Sequence, residues 1–249
     1  MEHGEPRIFA ERDAYLVLYK PAGIHCAPLR EGEKNTLLAW CAERYPEVLD
    51  CRGRKPIEGG LAHRIDGETE GLVLVARTQQ ALDQLLSQQT KGEFRKEYHA
   101  RCVPLPGVSC AAGFPSPPDL GVVPFTVESA FRAYGPGRRA VRPVLPPYGP
   151  DHALDDGMPY RTHVLEMLPA GDGPTISVRA CLLRGFRHQV RCHLAWIGLP
   201  LISDELYGGP MQPNVSLGLR ASALEFTDPA TGEQVRYGLD SESGAGAMG

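Results

Sequence analysis

Apolar and polar positions along this chain predict a strand-rich fold with few helices. Residues 8–23, IFAERDAYLVLYKPAG, read as two short strands around an acidic turn, closed by a Pro-Gly turn. Residues 36–45, TLLAWCAERY, read as a helix, with Asn35 as its expected N-cap and Pro46 as its stop. A Gly-Gly turn at 59–60 leads into AHRIDGETEGLVLVA (62–76). Its last five residues form the unbroken apolar run of a strand buried on both faces. Thr78 then caps a helix through QQALDQLLSQQ, in which Ala81, Leu82, Leu85 and Leu86 make one apolar stripe.

FRKEYHARC (94–102) alternates with period two. Phe94, Lys96, Tyr98, Ala100 and Cys102 point one way, and Arg95, Glu97, His99 and Arg101 the other. Twelve of the 23 prolines fall in residues 103–159, which read as a long, irregular Pro-rich insertion with interspersed strands, the plainest at 125–131. Strand patterning resumes at YRTHVLEML (160–168) and TISVRACLLRG (175–185), and LRASALEF (219–226) reads as the last strand. Between them, Val190, Leu194 and Ile197 space a helix buried along one side, with Gly198 as its C-terminal cap and Pro200 as its stop. One domain is expected over 1–240, with a disordered tail at 241–249.

Composition narrows the class. No stretch has the roughly 18 apolar residues of a membrane span, and the N-terminus lacks the pattern of a signal peptide, so a cytoplasmic protein is expected. The seven cysteines are odd in number and contain no C-x-x-C pair, as in a reduced set rather than a disulfide framework or zinc site. A net charge of −4 argues mildly against a nucleic-acid partner. The distribution matters more than the sum and leaves room for a local basic face. Arg179, Arg184, Arg187 and Arg191 lie in one stretch without an acid, and Arg132, Arg138, Arg139 and Arg142 lie in another.

Three places carry candidate chemistry. Asp66, two residues after Arg64 and just before a glycine, reads by itself as a turn residue or half of an ion pair, and becomes a candidate functional carboxylate only beside the two other places. Arg187, His188 and Arg191 occupy the first turn of the late helix, where free N–H groups and the helix dipole favour an anion or hold a carboxylate ionised. Tyr98 reads as core, or as a flat ring for stacking on a nucleobase. His188 and His193 are five residues apart and do not share a helix face, so no metal is expected.

Taken together these segments resemble the RluA family of RNA pseudouridine synthases nearly end to end. The K-P-x-G turn is matched by Lys20, Pro21 and Gly23, and the H-R-[LI]-D-x-x-T-x-G signature by His63, Arg64, Asp66, Thr69 and Gly71. The K-x-Y-x-A strand is matched by Lys96, Tyr98 and Ala100. The late block is matched at Gly185, His188, Gln189, Arg191, His193, Gly198, Pro200, Asp204, Tyr207 and Gly208.

The resemblance implies an α+β fold, a mixed and mostly antiparallel sheet in two halves with flanking helices and a central active-site cleft. It implies Asp66 as catalytic carboxylate, Tyr98 as the ring packing on the target uracil and Arg191 as the partner that keeps Asp66 ionised. His63, Arg64, Lys96, Arg184, Arg187, His188 and Gln189 are expected to contact the substrate, an rRNA or tRNA. A monomer without cofactor or metal is expected, and so is the absence of the small N-terminal RNA-binding domain of many relatives.

Three departures stand out: Gly67 where a basic residue often follows the aspartate, Glu70 in place of serine, and Phe186-Arg187 in place of Arg-Thr. Two alternatives remain open at this point. One is an RNA-binding paralogue of the same fold without activity, and the other a hydrolase pairing Asp66 with Glu70.

Overall fold

The computed structural model describes residues 4–30, 32–105, 113–149, 152–154, 157–171 and 173–239, so the expected tail lies outside the described residues. The chain forms two compact units, residues 1–96 with 220–249 and residues 97–219.

In the first unit β1 (Arg7–Glu11) pairs antiparallel with β2 (Tyr15–Lys20), and β2 with β3 (Glu70–Ala76) in an unbroken register from Tyr15↔Ala76 to Lys20↔Gly71. β3 pairs parallel with β9 (Leu219–Thr227) at Glu70↔Arg220 and Gly71↔Ala221. The apolar run of β3 is buried on both faces, as its pattern predicts. α1 (Leu37–Ala42) is shorter than expected and is capped by Thr36, not Asn35: the Thr36 hydroxyl accepts from the Ala39 N–H. α2 (Gln79–Lys91) starts at the expected Thr78 cap and ends on left-handed Gly92. Its Ala81, Leu82 and Leu85 pack with Leu72, Leu74, Tyr15, Phe94 and Phe226 into the core of this unit. A tenth strand, β10 (Gln234–Gly238), follows the turn after β9 and pairs with it, so β9 is not the last strand.

The second unit holds most of β4 (Arg95–Cys102), then β5 (Phe125–Tyr134), β6 (Ala140–Val144), β7 (Tyr160–Pro169) and β8 (Ile176–Leu182). They lie in the order β4-β8-β7-β5-β6. The strands of the Pro-rich segment include a β5–β6 hairpin, registered from Ala130↔Val144 to Tyr134↔Ala140. Pro143 fits in β6 because an edge strand needs no outward N–H there. α3 (Gln189–Trp196) is buried along all eight residues, not along one side. His193 anchors it to the sheet: its two ring nitrogens hydrogen-bond Ser129 Oγ on β5 (2.9 Å) and Thr162 Oγ1 on β7 (2.8 Å), and the ring stacks on Phe131. Among the described residues no helix is long and apolar enough to cross a membrane.

Candidate active site

In the first unit the H-R-I-D loop is held from three sides. Cys26 Sγ meets the Ile65 backbone at 3.4 Å through both its N–H and its C=O. Asp66, half-buried, accepts the Thr69 N–H on its carbonyl at 3.1 Å, closing the turn. The next carbonyl, Gly67 O, accepts the Gly23 N–H at 2.8 Å and Lys20 Nζ at 3.0 Å.

Lys20 ends a strand that is otherwise apolar, and its ammonium is wholly buried. A buried charge of this kind must be solvated by the protein. Its other two partners are the carbonyls of Pro21 and Ile24, each at 2.8 Å. Burial lowers its pKa, against the attraction of the Cys26 thiol and of Asp66, Glu68 and Glu70. The K-P-x-G turn and the aspartate loop are thus tied together by one cation.

Gly71 sits at φ +127°, and a Cβ there would lie 2.2 Å from the Ala221 carbonyl oxygen. Only glycine lets β3 approach β9 this closely. Gly67 is tight in another way, since a Cβ would meet the His25 ring at 3.1 Å.

The loop's other side chains are engaged locally. Arg64 pairs with the buried Glu58 at 2.9 Å while its own side chain stays 53% exposed, so it is both a structural ion pair and accessible. His63 is buried against β3, where Nε2 accepts the Leu74 N–H at 3.2 Å and the ring edge meets Phe94. Burial, with Lys96 and Arg54 nearby, takes its pKa down to about 3. The ring is turned into the core, with Nε2 as an acceptor. Glu70 accepts from Tyr19 Oη (2.9 Å) and from Arg220 Nε (2.6 Å). That makes it a structural carboxylate, and the paired-carboxylate hydrolase loses its second member.

In the second unit the N-terminus of α3 gathers the late block. His188, at φ +56°, places Nδ1 3.1 Å from Tyr207 Oη. Gln189 is spent internally: its Oε1 accepts the Phe186 N–H, and its Nε2 donates to Arg161 O and Thr162 Oγ1. These bonds make Gln189 a brace for the start of the helix. Arg187 is exposed and donates from Nη2 to the carbonyls of Arg138 (2.9 Å) and Ala140 (3.2 Å).

Arg191 is buried, with Nε 2.9 Å from Asp204 Oδ2 and Nη2 2.8 Å from Oδ1, and its guanidinium lies 5.4 Å from the Tyr207 ring centre. Tyr98 is buried on β4, and Lys96 is buried with its ammonium 5.2 Å from the Phe94 ring centre. Arg184 is half-buried in the bend that follows β8. Of the expected catalytic groups, Asp66 belongs to the first unit and Tyr98 and Arg191 to the second.

Lys20, Asp204 and Tyr207 are matched as motif positions in the sequence but carry no expected role there. A lysine closing an apolar strand, and the D-x-x-Y-G spacing downstream of the arginine helix, were the available signals. Among the described residues no cluster of His, Cys, Asp and Glu could hold a metal ion.

Known proteins resemble this chain throughout. The family model described as RNA pseudouridylate synthase matches residues 14–196. An uncharacterized RNA pseudouridine synthase of Chloroflexus aurantiacus is 30% identical over 216 residues, covering 86% of this chain and 58% of that protein. The ribosomal large subunit pseudouridine synthase D of Pseudomonas aeruginosa is 27% identical over 249 residues, covering 94% and 67%. The chain thus spans about three-fifths of the length of these relatives. In fold it is similar to the human RNA pseudouridylate synthase domain containing 1, with a TM-score of 0.65 at 20% identity over 96% of this chain and 85% of that one. The match across residues 14–196, which takes in the aspartate loop, the tyrosine strand and the arginine helix, shows that the chain belongs to the RNA pseudouridylate synthase family.

Proposed function

We propose that this protein is an RNA pseudouridine synthase that converts particular uridines of a structured RNA, rRNA or tRNA, to pseudouridine. Membership of the family over the segment that holds Asp66, Tyr98 and Arg191 is the observation that carries this reading. The name of the Pseudomonas relative, a ribosomal large subunit enzyme, favours rRNA.

The reaction breaks the bond from uracil N1 to the ribose, turns the base and rejoins it through C5. The C5 proton leaves, N1 gains one, and the RNA keeps its mass. In this reading Asp66 is the catalytic carboxylate, Tyr98 packs on the target ring and Arg191 pairs with Asp66. A carboxylate in a water-poor site resists ionisation, and a guanidinium beside it offsets that cost. Either chemical route for Asp66, nucleophile or base, needs the ionised form.

No electrons are transferred, so the reaction calls for no redox cofactor. The uridine must leave its stack at a cost of a few kcal/mol, least in a loop. Arg64, accessible beside Asp66, is suited to the vacated space, and Arg184 and Arg187 to phosphates, with affinity that falls as salt rises. We assign the protein to the cytoplasm, acting as a monomer. Mapping pseudouridines in total RNA from a strain lacking the gene, against its parent, tests the proposal. One or more sites should vanish and return on complementation, whereas an unchanged map would refute it.

A further inference from the structure

We infer that Asp204 is a positioning residue for the reaction, acting through Arg191, with Tyr207 as the floor on which the guanidinium rests. The inference rests on the role proposed above for Arg191. It is carried by the geometry of residues 201–209, a loop wound around a single carboxylate.

Asp204 is 1% exposed, and both its oxygens accept from Arg191, Oδ2 from Nε and Oδ1 from Nη2. A bidentate fork fixes the plane of a guanidinium as well as its position. Engagement through Nε and Nη2 directs Nη1 away from Asp204. The arginine's orientation is therefore set from behind by a group outside the H-Q-[IV]-R motif.

The carboxylate itself is held by its backbone. The Asp204 N–H donates to Leu201 O, and the Asp204 carbonyl accepts the N–H groups of Tyr207 (3.2 Å) and Gly209 (2.8 Å). A Cβ at Gly209 would lie 1.8 Å from the Leu201 carbonyl oxygen, so the loop closes only with glycine there. Ser203 takes φ +57° to enter the turn.

Tyr207 completes the mount. Its hydroxyl accepts the Val141 N–H at 3.0 Å and lies 3.1 Å from His188 Nδ1, which ties the ring both to β6 and to the residue that starts α3. An arginine with several rotatable bonds loses most of its freedom between a fork and a ring. A buried ion pair of this kind adds little net stability over an apolar replacement. Its value lies in orientation.

The test is kinetic, on the full chain with an RNA substrate carrying the mapped site. Asp204→Asn, which keeps the side-chain shape and breaks the fork, should lower kcat by about tenfold or more with KM for RNA within about twofold, the mark of a group misplaced in the transition state only. In an Arg191→Lys background, where no fork can form, Asp204→Asn should change kcat by less than about twofold, because the two residues act as one unit. Should Asp204→Asn fail to fold, Tyr207→Phe keeps the ring and removes its two hydrogen bonds, and it should lower kcat severalfold at unchanged KM. Folded variants with wild-type kcat, a loss confined to KM, or additive losses in the double variant would each overturn the inference. If Asp66→Asn proves fully active, the proposed function fails instead, and the two failures are distinguishable.

Discussion

Replacing Gly71 with alanine should unfold the first unit far more easily than its one added methyl suggests. Two costs follow from the structure. An L-residue at φ +127° occupies backbone space it rarely adopts, at about 1–3 kcal/mol. The new Cβ would also sit 2.2 Å from Ala221 O and 2.6 Å from Ala221 N, both backbone atoms of the paired strand. Neither can rotate away, so β3 and β9 must separate at the two pairs that join them, Glu70↔Arg220 and Gly71↔Ala221. We expect a loss of at least about 3 kcal/mol, or roughly 6–12 °C in Tm for a chain of this size. Gly232 is the control: it is also left-handed, at φ +75°, but a Cβ there meets nothing within 4 Å. Gly232→Ala should cost only the backbone term, about 1–2 kcal/mol. Thermal unfolding followed by circular dichroism measures both. A Gly71→Ala variant that melts within about 2 °C of wild type, or no lower than Gly232→Ala, would refute the argument that close strand approach demands this glycine.

Lys20→Met keeps the chain length and removes three hydrogen bonds to Pro21, Ile24 and Gly67. It should cost about 3–5 kcal/mol in urea unfolding and lower activity at least about tenfold, since the Asp66 loop loses its tie. His63 and His193 have pKa values taken down to about 3 by burial, so between there and the ordinary 6.5 the unfolded chain binds more protons than the folded one. Stability is complete above about pH 6.5 and falls with acidity below it, by about 2–3 kcal/mol for the pair between pH 7.5 and 5.5. Equal unfolding free energies at those two values would contradict this. Six cysteines are buried, and burial pushes Cys26 to about 11 and Cys41 and Cys102 to about 12. Thiol titration at pH 8 should therefore find these six unreactive until denaturant is added, with Cys110 lying outside the described residues.

The sequence was most legible where one periodicity met one burial pattern. The buried run of β3, the Thr78 cap and the inward face of β4 are of this kind. Pattern failed where partners override it. Glu97, on the polar face of β4, is buried, with Arg179 4.0 Å away. β10 alternates, but with polar residues flanking Val235 and Tyr237, so its strand character comes from pairing with β9. α3 carries arginine and histidine inside, and its apolar spacing alone understates its burial.

Around the site, the local chemistry of the Asp66 loop was readable, because glycines and turn residues announce a bend. The partners of Lys20 and Arg191 were not. Carbonyl acceptors have no sequence signature, and Asp204 reaches Arg191 through a left-handed turn that no helical or strand spacing encodes. Glu70, the clearest departure in the motif, proves to be matched by Arg220 on the adjacent strand, a compensation 150 residues away.

The most direct measurement of the central claim is the pseudouridine content of an unmodified RNA carrying the mapped site, after incubation with purified wild type and with Asp66→Asn. The wild type should form pseudouridine at that site, leave the RNA mass unchanged and release no uracil. Asp66→Asn should form none while binding the RNA with similar affinity. Pseudouridine formed at the wild-type rate by Asp66→Asn, or free uracil released by the wild type, would contradict the account.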